Sequence, residues 1–353
     1  MLLAGTALVA LAAVAAPALP STAALRIVSD RVLSKDLEKA RDVRWASDQK
    51  VYLSLSQGGM VEASLDPGGP APREMIPGNK TVGGWRFGSW IGASPSYLVM
   101  AGHFGLTWRT LDQPLRQEAR LEKVEDIDVA GDQLLALGIQ VDESRGVAPD
   151  GTIVWLGSLA KGLSDLRPIL SDARGPGALN HTSCGHFEVG GVRFLAGGSF
   201  IVVPGVQPGA YLYDSKARLV RTWDTAGLGI DTDCASLGDK EIERLATDIG
   251  AREAWLNRRR TLDEILPLPQ GPGLVIRSVI EGRTRWQIKV LREAGGVATI
   301  DIPADPVNVR SHLRGDVRGG RIVFVMYTYR ESRSMPPPAS RLIVAEVLER
   351  GAR

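Results

Sequence analysis

Two stretches decide how this chain reads: Arg41-Asp-Val-Arg-Trp-Ala-Ser-Asp-Gln-Lys-Val-Tyr-Leu-Ser-Leu55 and Glu125-Asp-Ile-Asp-Val-Ala-Gly-Asp-Gln-Leu-Leu-Ala-Leu137. Asp42 matches Asp126, Ala46 matches Ala130, and Asp48-Gln49 matches Asp132-Gln133. In both, two short runs of alternating or β-branched residues flank a polar turn, which is the pattern of a tight β-hairpin. A third copy lies between them, Trp90-Ile-Gly-Ala-Ser-Pro-Ser-Tyr-Leu-Val-Met100. Three later units, at 192–203, 268–277 and 317–326, keep the form without the letters.

The central turns of these six units fall near residues 48, 95, 132, 198, 272 and 320, at intervals of 47, 37, 66, 74 and 48. Three of the five intervals are close to one four-stranded blade of about 40–45 residues. The two long ones hold insertions, a loop at 161–190 and a stretch at 226–267. Each unit carries a second hairpin. The clearest is at 210–224, two strands joined by Asp214-Ser-Lys216. A lone four-stranded sheet has two apolar faces and two open edges. Ranging such sheets around an axis buries each face on its neighbour and leaves short, protected edges. The expected fold is therefore all-β, a six-bladed β-propeller with seven blades as the alternative count. A pair of β-sandwich domains is disfavoured because no linker separates the units. The strand at 25–33 has no hairpin partner and can close the ring by pairing near 341–347.

With its strand, Asp-Ser-Lys turn and Trp223-Asp224 ending, the segment 210–224 resembles the repeats of six-bladed propellers of the NHL and TolB kind. The likeness covers most of residues 30–350, and its motifs are degenerate. It implies a fold and carries no catalytic residue, since these families host sensors, scaffolds, lactonases and lyases alike.

One segment breaks the β pattern. Gly238-Asp-Lys-Glu-Ile-Glu-Arg-Leu-Ala-Thr-Asp-Ile249 places Ile242, Leu245, Ala246 and Ile249 on one helical face. Asp239 is a fair N-cap, and Glu241 and Glu243 suit the positive end of the helix dipole. More helix is expected around 252–260, so a helical insertion of about 238–262 sits between the fourth and fifth blades. It can shield an edge, cover the central channel or offer a surface to a partner.

No charged side chain precedes Arg26, and residues 2–16 form an apolar run of mostly Leu, Ala and Val. Pro17 and Pro20 break it, and Ala16-Pro17-Ala18 and Thr22-Ala23-Ala24 supply small residues at a cleavage region. Residues 1–24 thus read as a signal peptide and 25–353 as one propeller domain. A basic residue near the start is missing from the pattern. The run is too short for a membrane span, so no span is expected after cleavage. Abundant Ala, Gly and Arg point to a bacterial source, hence a periplasmic or extracellular protein. The formal net charge is +2, with Lys and Arg at 42 against 40 Asp and Glu. That leaves no basic footprint for nucleic acid.

Reactive side chains are densest in Asn180-His-Thr-Ser-Cys-Gly-His186. The second cysteine lies in Asp231-Thr-Asp-Cys234. On the propeller reading both segments are connections on the same end of the ring, so Cys184 and Cys234 can pair, as two cysteines in an exported chain favour. Alternatives are a zinc site using His181, Cys184, His186 and Asp231, Asp233 or Cys234, and a Cys-His nucleophile pair. His103 and His312, from the second and sixth units, can join a fourth-unit histidine as metal ligands at the central channel. The acidic pairs Asp126/Asp128 and Asp231/Asp233 carry oxygens of the kind calcium prefers, without the spacing of an EF-hand loop. Asp126 and Asp128 share one strand face and can simply meet solvent. Trp85-Arg-Phe-Gly-Ser-Trp90 is an aromatic knot able to line a ligand groove. Walker A, Rossmann and Gly-x-Ser-x-Gly motifs are absent. No cofactor is predicted, with calcium or zinc as the alternative. The leading function is an exported binding or scaffolding module for a protein or envelope ligand. A metal-dependent propeller hydrolase or lyase, and a structural part in a larger envelope assembly, are the other readings.

Overall fold

In a computed structural model of the chain, the described residues are 24–37, 39–56, 58–77, 88–102, 105–112, 116–119, 124–138, 152–171, 190–204, 209–231, 237–292, 295–329, 336 and 338–348. They form six four-stranded antiparallel sheets. The first blade is β2 Ala40–Ser47, β3 Lys50–Leu55, β4 Met60–Ser64 and β5 Arg73–Ile76. The second is β6 Gly88–Ala93, β7 Tyr97–Gly102, β8 Gly105–Thr110 and β9 Arg116–Ala119, and the third β10 Asp126–Ala130, β11 Gln133–Leu137, β12 Thr152–Ser158 and β13 Arg167–Ser171. The fourth is β14 Gly191–Phe194, β15 Phe200–Val203, β16 Ala210–Tyr213 and β17 Leu219–Trp223. The fifth is β18 Thr261–Leu268, β19 Gly271–Ile280, β20 Arg283–Leu291 and β21 Val297–Ile302. The sixth is β22 Ser311–Arg318, β23 Arg321–Thr328, β24 Arg341–Leu348 and, outermost, β1 Ala24–Val32. The chain is a six-bladed β-propeller.

The N-terminal strand closes the ring where its sequence places it. Leu25 lies opposite Val347 and Val32 opposite Arg341. A register shift between Ile27 and Ser29 changes the face that β1 presents. Leu25, before the shift, packs in the core against the fifth blade. Arg31, after it, donates from Nη2 to the Ser64 carbonyl of the first blade at 2.9 Å. The clasp therefore grips both neighbours of the sixth blade.

Five central turns stand where the sequence puts them. The fifth-blade turn lies at Pro269-Gln270, ahead of the expected position. Pro267 and Pro272 face each other across β18 and β19. Neither has an N–H, so neither presents an unmatched donor, and the ladder runs through two residues that read as turn formers. Likewise β13 occupies part of the expected loop at 161–190, and β18 occupies the end of the expected insertion at 226–267.

That insertion holds α1 Thr225–Leu228, α2 Asp239–Thr247 and α3 Ile249–Leu256. Asp239 is not the cap: Gly238 precedes α2 with no side-chain hydrogen bond. The capping carboxylate is Asp248, which accepts from Ala251 N at 3.0 Å and starts α3. The helix was divided in two by an acid that helical periodicity alone assigns to the interior.

The apolar core lies in the seams between blades. Tyr52, Met60, Ile91 and Leu98 pack between the first and second blades. Leu135, Leu156, Val192 and Phe200 do so between the third and fourth, joined by Leu245 of α2 and Trp255 and Leu256 of α3. One aliphatic side chain from the middle of every innermost strand, Val43, Ile91, Ile127, Val192, Ile265 and Leu313, is 0% exposed. Beside them on the same strands, Asp42, Arg44, Asp126, Asp128, Arg193, Glu264 and Arg314 are buried as well.

Candidate functional site

The residues facing the axis are mostly charged. Arg44, Arg193 and Arg314 meet Asp42, Asp126, Asp128, Glu264 and Asp316. Arg44 Nη1 lies 2.7 Å from Asp42 Oδ1 and 3.6 Å from Glu264 Oε2. Arg193 Nη2 lies 2.6 Å from Glu264 Oε1, and its Nη1 3.4 Å from Asp128 Oδ1. Glu264 thus bridges two guanidinium groups. They hold its carboxyl below the usual range against the burial that would raise it. Arg314 Nη1 stands 3.9 Å from Asp126 Oδ1, and the Arg314 guanidinium lies over the Trp90 ring at 4.8 Å. Gly315 lets this web form: a Cβ there would meet Phe324 Cδ1 at 2.6 Å and the Val323 carbonyl at 2.9 Å.

The same acids sew the ring together. A carboxylate on one innermost strand accepts a backbone N–H from the next. Asp42 takes Ile91 N at 2.9 Å, Asp126 takes Val192 N at 2.9 Å, and Asp128 takes Phe194 N at 2.8 Å. Asp263 takes Leu313 N at 3.0 Å, Glu264 takes Gly315 N at 3.1 Å, and Asp316 takes Trp45 N at 2.9 Å. The other two seams use a side-chain donor instead, Trp90 Nε1 to the Val124 carbonyl and Arg193 Nε to the Ile265 carbonyl, both at 2.9 Å. A bulge between Leu262 and Glu264 lets consecutive acids, Asp263 and Glu264, reach two amides two residues apart. Asp126 and Asp128, expected to meet solvent or calcium, are buried here and spent on amides and arginines. Their shared face points at the neighbouring blade and its arginines rather than at water.

Glu125, which precedes β10, is also buried. Among the described residues nothing hydrogen-bonds its carboxyl, and burial beside Asp126 pushes it up to about 8. Burial raises Asp126 to about 7, and its Oδ1 has no hydrogen-bond partner.

At the upper end of the ring, where each connection arrives from the preceding blade, the chemistry changes. His312 opens β22, and its Nδ1 lies 3.0 Å from Asp263 Oδ1. Asp263 Oδ2 accepts from Leu313 N and, at 2.8 Å, from Trp286 Nε1. His312 and Arg277 keep the Asp263 carboxyl below its ordinary range despite burial. The imidazole stacks on Tyr327 at 5.5 Å and meets the edge of Tyr329 at 5.5 Å. The Arg41 guanidinium lies 5.2 Å from the Tyr329 ring centre and 5.9 Å from that of Tyr327. Helix α3 reaches this end too: Glu253 stands 3.9 Å from Arg310, and Asn257 accepts from Arg277 Nη2 at 3.1 Å.

Besides Asp126 and Asp128, the sequence candidates that are described are His312, Trp90 and Asp231. Trp90 is buried in a seam under Arg314. Asp231 ties the ends of the helical insertion together, with its N donating to the Arg260 carbonyl at 3.1 Å and its Oδ2 3.3 Å from Arg260 Nε. His103, His181, His186, Cys184, Cys234, Asp233 and Trp85 lie outside the described residues, and so does the expected Cys184–Cys234 pairing. Among the described residues no group of three or more His, Cys, Asp or Glu side chains could hold a metal ion. Sequence reasoning missed Arg44, Arg193, Arg314, Asp263 and Glu264. Their signal is a charge within the innermost strand, present in every blade but the second.

No family model matches the chain, and no curated protein does. Solved structures share the fold. A member of the DUF4221 family from Bacteroides vulgatus is 8% identical, covers 93% of this chain and 99% of its own, and has a TM-score of 0.53. A catalytically inactive virginiamycin B lyase from Staphylococcus aureus, with quinupristin, is 9% identical over 92% of this chain and 100% of its own, at a TM-score of 0.48. The WD40 β-propeller domain of Doa1 is 12% identical over 91% and 97%, at 0.45. At such identities the likeness is one of fold.

Proposed function

We propose that this chain is an exported binding or scaffolding module that engages a protein or cell-envelope ligand through the upper end of its ring. The observation that carries the reading is the filling of the axis. Buried ion pairs occupy the centre, so recognition falls to the rim. At the upper rim an oriented imidazole, a tyrosine pair and Arg41 converge. Aromatic and arginine side chains clustered at a partly buried patch are the usual anchors of recognition. Export rests on the apolar leader of residues 1–24. Among the described residues no helix is long and apolar enough to cross a membrane.

A photo-crosslinking amino acid placed at Arg41 tests the reading, with Gln49 at the lower end as its counterpart. Crosslinks to one discrete ligand from position 41 and none from 49 are expected. Crosslinks only from position 49 would overturn the reading. The hydrolase or lyase alternative rests, among described candidates, on His312. Zinc or calcium bound stoichiometrically and lost in His312→Ala would favour it.

A further inference from the structure

We propose that Asp126, Arg314 and Trp90 form a pH-operated latch at the axis of the ring. With a proton on Asp126, the Arg314 guanidinium rests on the Trp90 ring of the second blade. Without that proton, the guanidinium moves to the Asp126 carboxylate of the third blade.

Arg314 stands between two partners. It comes from β22 of the sixth blade and is 2% exposed. Among the described residues it donates no hydrogen bond. Its guanidinium carbon lies 4.8 Å from the Trp90 ring centre, and its Nη1 lies 3.9 Å from Asp126 Oδ1, too far for a hydrogen bond. Asp126 Oδ1 has no hydrogen-bond partner either, while Oδ2 holds Val192 N. A movement of about 1 Å would bring the two into a charge-assisted hydrogen bond.

The balance of charge sets the resting state. Three buried guanidinium groups, of Arg44, Arg193 and Arg314, face four buried acids, Asp42, Asp126, Asp128 and Glu264. Half-buried Asp316 adds another acid. Excess charge of one sign is costly in a buried web, so the web favours keeping a proton. Asp42, Glu264 and Asp128 each have a guanidinium nitrogen close by, at 2.7, 2.6 and 3.4 Å. Asp126 is the buried axial acid whose cation stands furthest off, and it takes the proton most readily. Burial raises it to about 7, so the latch turns near neutral pH.

The charged groups facing Asp126 are Arg44 and Asp42 from β2, Arg193 from β14, Glu264 from β18, and Arg314 and Asp316 from β22. Glu125 and Asp128 flank it in sequence, and β6, β7 and β11 bring no charge. The seam between the second and third blades has no acid-to-amide bond and relies on Trp90 Nε1. The ring on which Arg314 rests is therefore also the donor that ties this seam, so the state of Asp126 is felt there.

Indole nitrogen-15 spectra recorded from pH 5 to pH 9 test the latch. The chain has 8 tryptophans, and loss of a signal in Trp90→Phe assigns the one that matters. The Trp90 signal should move through a single-proton step centred near pH 7. Asp126→Asn keeps the shape and an oxygen for Val192 N but cannot ionise, so the step should vanish in it. Glu125→Gln should keep the step. Infrared spectra of wild-type protein with carbon-13 in its aspartate carboxyls need no variant. A labelled carboxylic-acid band should be present at pH 6 and fade across the same step. A Trp90 signal that stays still from pH 5 to pH 9, a step that persists in Asp126→Asn, or no labelled acid band at pH 6 would overturn the proposal.

Discussion

Glu125→Gln should change how stability depends on pH more than it changes stability itself. Glu125 is 6% exposed, and its carboxyl takes no hydrogen bond from any described residue. Burial and the neighbouring Asp126 raise it from 4.5 to about 8. The native state therefore holds a proton that the unfolded chain releases near pH 4.5. A group raised in this way contributes its full stability below the unfolded value, and that contribution drains away as pH rises to the folded value. A rise of about 3.5 units, at about 1.36 kcal/mol each, sets an upper bound of roughly 5 kcal/mol lost between pH 4.5 and 8. Glutamine keeps the shape and cannot ionise. Urea unfolding at pH 5, 7 and 9 should show the variant close to wild type at pH 5. It should gain on wild type by about 1.4 kcal/mol per pH unit up to the folded value. Parallel pH profiles for the two proteins would refute the assignment of a buried, protonated Glu125.

Arg193→Met removes the cation that faces Glu264 at 2.6 Å and leaves a buried carboxylate short of a partner, which should cost about 3–5 kcal/mol in urea unfolding. Adding Glu264→Gln to that variant should restore part of the loss. Gly92→Ala would put a Cβ 2.5 Å from Val129 Cγ2 in the seam between the second and third blades. Differential scanning calorimetry should show about 1–3 kcal/mol of destabilisation. For Cys184 and Cys234, mass spectrometry of exported protein under non-reducing conditions should find the two in one linked peptide pair, and two free thiols would end that expectation.

Much of the ring was legible because turn chemistry and alternation are local. Asp48-Gln49 and Asp132-Gln133 announce hairpins, and β1 announces itself by lacking a hairpin partner. What alternation cannot say is what a shared face looks at. Asp126 and Asp128 fall on one side of β10 in the sequence as in the structure, yet only the closed ring turns that side away from water. Asp263 and Glu264 were harder still, because a bulge lets neighbours in sequence do the work of residues two apart. Pro267 and Pro272 displaced a turn by reading as breakers, when facing each other makes both harmless. His312 was picked out as a metal ligand for its residue type. Its partner Asp263, nearly fifty residues earlier, could be found only once the fifth and sixth blades stood side by side.

Acids of one innermost strand hold the amides of the next in four of the six seams. Hydrogen exchange resolved to single amides by fragmentation mass spectrometry measures this directly. The amides of Ile91, Val192, Phe194, Leu313, Gly315 and Trp45 should be among the slowest in the protein, and Asp128→Asn should speed exchange at Phe194 more than at Leu313. Exchange at these positions as fast as in the outermost strands, or a Phe194 amide indifferent to Asp128, would contradict it.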